Sequence, residues 1–241
     1  MPERTKWRFT AEAALNAPSL YRETGGLSFE AVHVDGAERF AAEAGKAGVR
    51  RLVHVSGIGA DPEARDPYIP ARGRGEAAVR DAFPSATIVR PSVMFGPDDG
   101  FLGAILSAVR RLPPVPLFGS GGTRLHPVHV ERAARAMAAA LQAEAAAPLH
   151  ELGGPTVWRY RDLVHAVAAT AGRTVRTVPA PFPLWRAPAA AELLPTPPLT
   201  RTEVALMEAD KVAAPDLPAQ RRAGSVPGIR SSICATCRRR A

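Results

Sequence analysis

Cysteine and lysine are scarce in this 241-residue chain. Two cysteines cannot frame a disulfide scaffold in a chain of this length, and such usage fits a reducing compartment. Lys6, Lys46 and Lys211 are the only lysines; the other basic residues are arginines in a background rich in alanine and proline. No apolar run approaches the ~20 residues of a membrane-spanning helix. The longest Ala-rich stretch, Ala136 to Leu149, is interrupted by Gln142 and Glu144. The first residues, MPERTKWRFT, show no basic segment followed by an apolar run, so no secretory signal is read there. The default expectation is a cytoplasmic protein, peripheral to a membrane at most. A glycine-rich turn of the GxxGxxG kind, following a strand and opening a helix, is also missing. The glycine-rich spots are Gly25-Gly26, Gly73 with Gly75, and GSGG at 119–122.

What is present is a core-forming composition, with 46% hydrophobic and 22% charged residues, which excludes wholesale disorder. The formal net charge of +8 invites a nucleic-acid reading, but its distribution argues against one. Residues 218–241 carry Arg221, Arg222, Arg230, Arg238, Arg239 and Arg240 and no acid. Removing these six from the +8 leaves +2 for residues 1–217, too little for a basic footprint on a folded face.

Short β-branched runs alternate with helical stretches, which predicts an α/β fold with a parallel sheet. A strand is expected from Ala13, then a helix over 29–47 with Phe29, Val32, Gly36, Phe40 and Ala44 on one face. Gly48 ends that helix, and RLVHVS at 51–56 is the next strand. A helix over 68–83, the strand TIVR at 87–90 and a helix over 101–111 follow. Beyond 112 the texture turns to proline-punctuated α+β. Strands are expected at 115–118, 125–130, 150–152 and 174–178. Helices are expected at 131–142, with Ala134, Met137, Ala138 and Leu141 on one stripe, and at 160–171, 181–194 and 200–212. The expected organisation is a Rossmann-like portion at 1–112, a smaller α+β portion at 113–217 and a basic, disordered tail at 218–241.

Four ordered segments carry a family resemblance: RLVHVSGIGAD at 51–61, YIPARGRGEAAVR at 68–80, IVRPSVMFGPDDGFL at 88–102 and LHPVHVERAARAM at 125–137. They resemble the atypical extended short-chain dehydrogenases/reductases (SDRs), and within them the NAD(P)H-binding accessory-subunit type of respiratory complex I and its bacterial relatives. LYRETGGLSFEAVHVDGAERF at 20–40 and PPLTRTEVALMEADKV at 197–212 fit the same group. The resemblance implies a Rossmann-type sheet that binds NAD(P)H at the carboxyl ends of its strands. It also implies that the matched region begins at the family's fourth strand. Roughly two ~30-residue βαβ units are then expected to be missing upstream, as from a truncated gene or a miscalled start, and with them the pyrophosphate cradle.

Active members of this family use a Ser after one strand to polarise a carbonyl, a Tyr as acid or base, and a Lys four residues on. That spacing is about one helical turn, so the Tyr and Lys side chains share a face. Ser56 and Tyr68 match, and Arg72 stands where the Lys would be. Arginine keeps the charge that depresses a tyrosine pKa, yet it does not readily pass a proton, so hydride transfer assisted by Tyr68 is weakened. Tyr68 reads equally well as a packing group at a helix start shaped by Pro67 and Pro70. The resemblance further implies cofactor contacts from Asn16 and Ala17, after the first strand, from Tyr68 and Arg72, and from Pro91, Ser92 and Val93 at the nicotinamide end.

No metal site is expected. His126 and His129 lie three apart on an expected strand and face opposite sides, His54 reads as a packed strand histidine, and Cys234 with Cys237 lacks a second ligand pair. Three functions follow as expectations: a NAD(P)-binding protein with weak or no catalysis and an assembly or quinone-pathway role; an active oxidoreductase or epimerase on a sugar-nucleotide, steroid-like or quinone-pathway substrate; or a docking surface for a respiratory or lipid-quinone membrane complex.

Overall fold

The computed structural model describes residues 11–23, 25–97, 99–186 and 200–214. The expected tail, with Cys234 and Cys237, and the expected helix beyond 186 lie outside the described residues.

The principal sheet is parallel and four-stranded, in the order β1 (Ala13–Asn16), β2 (Arg51–Val55), β3 (Thr87–Pro91) and β8 (Leu149–Leu152). Its register sets Asn16 opposite His54, Val55 opposite Val89 and Pro91 opposite Leu152. Because neighbouring strand residues point to opposite faces, each strand supplies two cores. Leu52 and Ile88 pack under a first helical layer with Ala37, Ala41 and Val79. Val53, Val55 and Val89 pack on the other face against Ala133, Ala136 and Met137. Each fully buried aliphatic side chain contributes about 1.5–3 kcal/mol, so a one-residue slip of β2 or β3 forfeits both layers at once.

The first layer comprises α1 (Gly36–Lys46), preceded by a π turn over Ala31–Asp35, and α2 (Tyr68–Ala82). The π turn changes which face is buried. Gly36 N–H bonds the Ala31 carbonyl five residues back, so the stripe advances to Phe29, His33, Ala37, Ala41 and Ala44. Phe40, expected on the core face, is exposed. Close approach explains the glycines of α2. A side chain at Gly75 would run into the His33 carbonyl, and one at Gly73 would meet the backbone at Asp61–Pro62. Glu76 and Arg90 tie α2 to β3 through Nε to Oε1 at 2.8 Å and Nη2 to Oε2 at 2.7 Å.

The opposite layer is α4 (Val130–Gln142), whose buried residues are Ala133, Ala136 and Met137, while Ala134 and Ala138 are exposed. In a helix this rich in alanine the apolar pattern fixes no single face: Met137 and Leu141 of the expected stripe pack on the core, but Ala133 and Ala136 take the places of Ala134 and Ala138. A third core joins α3 (Gly100–Arg111) to α5 (Tyr160–Thr170) through Leu102, Ile105, Leu106, Leu163, Val164 and Val167. It is completed by β5 (Val115–Phe118), which pairs with β10 (Thr177–Ala180), three residues later than the strand expected from 174.

The strand expected over 125–130 is two pieces. In β6 (Arg124–Leu125), Leu125 pairs with Trp158 of β9 (Trp158–Arg159); in β7 (Val128–His129), Val128 and His129 pair with Met94 and Phe95 of β4 (Met94–Phe95). His126 and Pro127 separate them, and Pro127 has no N–H for a ladder. Two short helices close the described chain, α6 (Phe182–Arg186) and α7 (Arg201–Leu206), the latter with Thr200 and Glu203 forming a capping box. Because β8 completes the sheet and α4 covers it, the sheet crosses the boundary expected at residue 112.

Candidate functional site

The carboxyl ends of β1, β2 and β3 open onto a cavity of about 620 Å³. Its walls take Ala17 to Ser19 after β1, Ser56 to Ala60 after β2, and Pro91, the last residue of β3, with Ser92 to Met94 beyond it, together with Tyr68 and Arg72 of α2. In open parallel sheets this edge is where ligands bind.

Ser56 leaves β2 with its N–H bonded to the Val89 carbonyl at 2.7 Å. Its residue is 3% exposed, and among the described residues its hydroxyl has no partner. A buried hydroxyl left unsatisfied costs about 1–3 kcal/mol, so Ser56 holds an unmet hydrogen bond at a residue that lines the cavity.

Tyr68 begins α2, its N–H bonded to Asp66 Oδ1 at 3.0 Å. One turn later Arg72 donates from Nη1 to Tyr68 Oη at 2.8 Å and to Ser19 Oγ at 3.2 Å, and from Nη2 to the Val55 carbonyl at 3.1 Å. Arg72 therefore joins the turn of α2 to the end of β2, next to Ser56, and Gly57 lies against its guanidinium. The phenol ring is held by Tyr21 in a stack at 5.5 Å and by Phe29 and His33 edge-on, each at 5.4 Å. Burial pushes the Tyr68 pKa up to about 12, outweighing the lowering by Arg72. The arginine thus fails to bring the phenol into the range of a neutral-pH base, because the aromatic cage desolvates the phenolate more than one cation restores. Tyr68 stays protonated, able to donate a hydrogen bond, and Arg72 orients it.

The other expected contacts divide. Ala17, Pro91, Ser92 and Val93 line the cavity. Asn16 does not: it shares a strand face with Ala14, under the first helical layer, where it is buried beside His54. Ser92 lines the wall, but its hydroxyl is committed, donating to the Lys211 carbonyl at 2.6 Å and accepting from His126 N–H at 3.2 Å. His129 caps α4 by accepting from Glu131 N–H at 3.3 Å. Lys211 was not legible from the sequence as a site residue. It lines the cavity, is 5% exposed, and burial lowers its pKa while Asp210 raises it.

No protein-family model matches the chain. Alpha subcomplex subunit 9 of mitochondrial NADH dehydrogenase [ubiquinone] 1 from Arabidopsis thaliana is 33% identical over 183 residues, 75% of this chain and 46% of that protein. The ceramide reductase of Caulobacter vibrioides is 36% identical over 129 residues, 54% of this chain and 40% of its own. Among solved structures, the dTDP-glucose 4,6-dehydratase DesIV of Streptomyces venezuelae, with NAD and DAU bound, superposes with a TM-score of 0.67 at 18% identity over 94% of this chain and 72% of that one.

The chain is related to the alpha-subcomplex subunit 9 proteins of complex I and shares the fold of the NAD-bound dehydratase.

The chain spans less than half the length of the curated relatives described. Its fold agrees with the Rossmann-like parallel sheet expected from the sequence. Among the described residues, no strand passes through a glycine-rich turn into a helix. Ser56, Tyr68, Arg72 and Pro91 to Val93 line the cavity at the strand ends. Among the described residues, no helix is long and apolar enough to cross a membrane.

Proposed function

We propose that this chain is a NAD(P)-binding SDR-like protein with weak or no catalysis, which holds the nicotinamide end of the dinucleotide in the cavity at the carboxyl ends of β1 to β3. The observation that carries the reading is the unpartnered Ser56 hydroxyl on the wall of that cavity, beside the Arg72–Tyr68 pair. These residues fit the nicotinamide end. Ser56 Oγ donates to or accepts from a carboxamide or ribose hydroxyl, and Tyr68 Oη donates a hydrogen bond. The Pro91 to Val93 turn forms the wall behind them. The sequence offers no matching cradle for the pyrophosphate. The bound cofactor supplies hydride chemistry; the protein's part is to orient it and exclude water.

Weak catalysis follows from the dyad. A phenol with its pKa near 12 and an arginine occupied by Ser19, Tyr68 and the Val55 carbonyl do not relay a proton at neutral pH. Kinship with complex I subunits supports an assembly or quinone-pathway role at the periphery of a respiratory membrane complex. Calorimetric titration with NADPH tests the binding: a saturable isotherm weakened in Ser56→Ala is expected, and no heat of binding overturns the reading.

A second reading, an active oxidoreductase, is favoured by the similarity to a ceramide reductase. NADPH oxidation with a panel of carbonyl compounds separates the two. Turnover that disappears in Tyr68→Phe supports the enzyme; its absence supports the binder.

A further inference from the structure

The cavity contains a charge that the nicotinamide reading does not use. Lys211 is fixed by its backbone: its N–H bonds the Arg124 carbonyl at 2.8 Å, and its carbonyl accepts from Ser92 Oγ at 2.6 Å and His126 N–H at 3.1 Å. From that anchor the side chain runs to Gly59, where a Cβ would stand 2.7 Å from Lys211 Nζ. Gly59 has φ +88° and no side chain, and so it leaves room for the ammonium. Among the described residues no carboxylate forms an ion pair with that ammonium. Asp210, next in the chain, is turned to Arg124 at 2.7 Å.

The other charged groups on the cavity wall make hydrogen bonds of their own. Arg72 points its two Nη groups at Tyr68, Ser19 and the Val55 carbonyl and leaves Nε without a partner among the described residues. Glu203 accepts from Thr200 N–H in the capping box, and Asp99 accepts from Leu102 N–H at 2.8 Å. Burying an ammonium without a counter-charge costs several kcal/mol. A fold that fixes its backbone and clears space for its head is a site for an anion. Much of the rest of the wall is apolar, with Phe101, Phe118, Leu125, Met137, Leu206 and Met207. At 620 Å³ the volume falls in the ~300–1,000 Å³ range of ligand pockets.

We propose that the cavity binds an amphipathic carboxylate, its apolar chain along this wall and its head on the Lys211 ammonium. The inference deepens the SDR-like reading by naming the class of compound held beside the nicotinamide end, and it is tested without cofactor so that the two stand or fall separately.

The experiment uses the full chain and the fluorescent probe dansyl-aminoundecanoic acid, displaced by dodecanoate or by dodecanol. A charge-assisted contact in a desolvated site predicts that dodecanoate competes about tenfold or more better than dodecanol. In Lys211→Met and Lys211→Gln that preference falls to about one while dodecanol still competes, and Lys211→Arg keeps it. Thermal melts show which variants are folded, and the wild-type comparison needs no variant at all. No probe binding by the wild type, equal competition by acid and alcohol, or an acid preference kept in a folded neutral variant overturns the proposal. NADPH binding without acid binding sinks this inference alone; acid binding without NADPH binding sinks the cofactor reading alone.

Discussion

His54 makes the protein acid-sensitive, and the size of the effect follows from its position. It lies in β2 under the first helical layer, 5% exposed, with Nδ1 unpartnered among the described residues. Burial first, and then the Arg72 charge, lower its pKa from 6.5 to about 4; Glu76 opposes them weakly, and His33 and Arg80 add to the lowering. As pH falls from 6.5 toward 4 the unfolded chain takes up the proton and the folded chain does not, so stability is full above about 6.5 and is lost toward 4. A shift of this size corresponds to about 3 kcal/mol over that window, or roughly 6–12 °C in melting temperature for a chain of this size. His54→Leu removes the proton site while keeping a packable side chain next to the Leu52 core. Its packing cost is the same at every pH and cancels in the comparison. Urea melts of wild type and variant at pH 7 and pH 4 should therefore show the variant losing about 3 kcal/mol less between the two. An equal loss in both proteins would refute the assignment.

Other perturbations give simpler readouts. Glu76→Gln leaves the half-buried Arg90 guanidinium without its bidentate partner, and urea denaturation should show a loss of about 3 kcal/mol. Gly75→Ala places a methyl against the His33 carbonyl and should destabilise by roughly 2–3 kcal/mol on the same assay, where an exposed Gly→Ala in a helix would stabilise.

Much of the sheet was legible because a buried parallel strand announces itself as a β-branched run, as RLVHV and TIVR do, and Gly48 with Pro113 marks where helices stop. Strand β8 was legible as a strand but not as a member of this sheet, since nothing in LHEL says which edge it joins. The π turn was illegible because an extra residue in one turn leaves composition unchanged while rotating every later residue, which moved Phe40 to solvent. At the site, Ser56, Tyr68 and Arg72 were readable only through the family resemblance, which places a Ser after one strand and a Tyr and a Lys four residues apart on one helix. The fate of the Tyr68 proton was not, because it depends on Tyr21, Phe29 and His33 closing around the ring. Lys211 was hidden for a related reason: Ser92, which holds its carbonyl, is 119 residues away in sequence.

The half-site reading is tested most directly by dividing the cofactor. The cavity offers Ser56, Tyr68 and the Pro91–Val93 turn to a nicotinamide riboside, and the sequence offers no glycine turn to an adenosine diphosphate. Calorimetric titration with reduced nicotinamide mononucleotide, ADP and NADPH should give comparable affinities for the mononucleotide and NADPH and no binding of ADP. Binding of ADP as tight as that of NADPH, or a mononucleotide that does not bind, would contradict it.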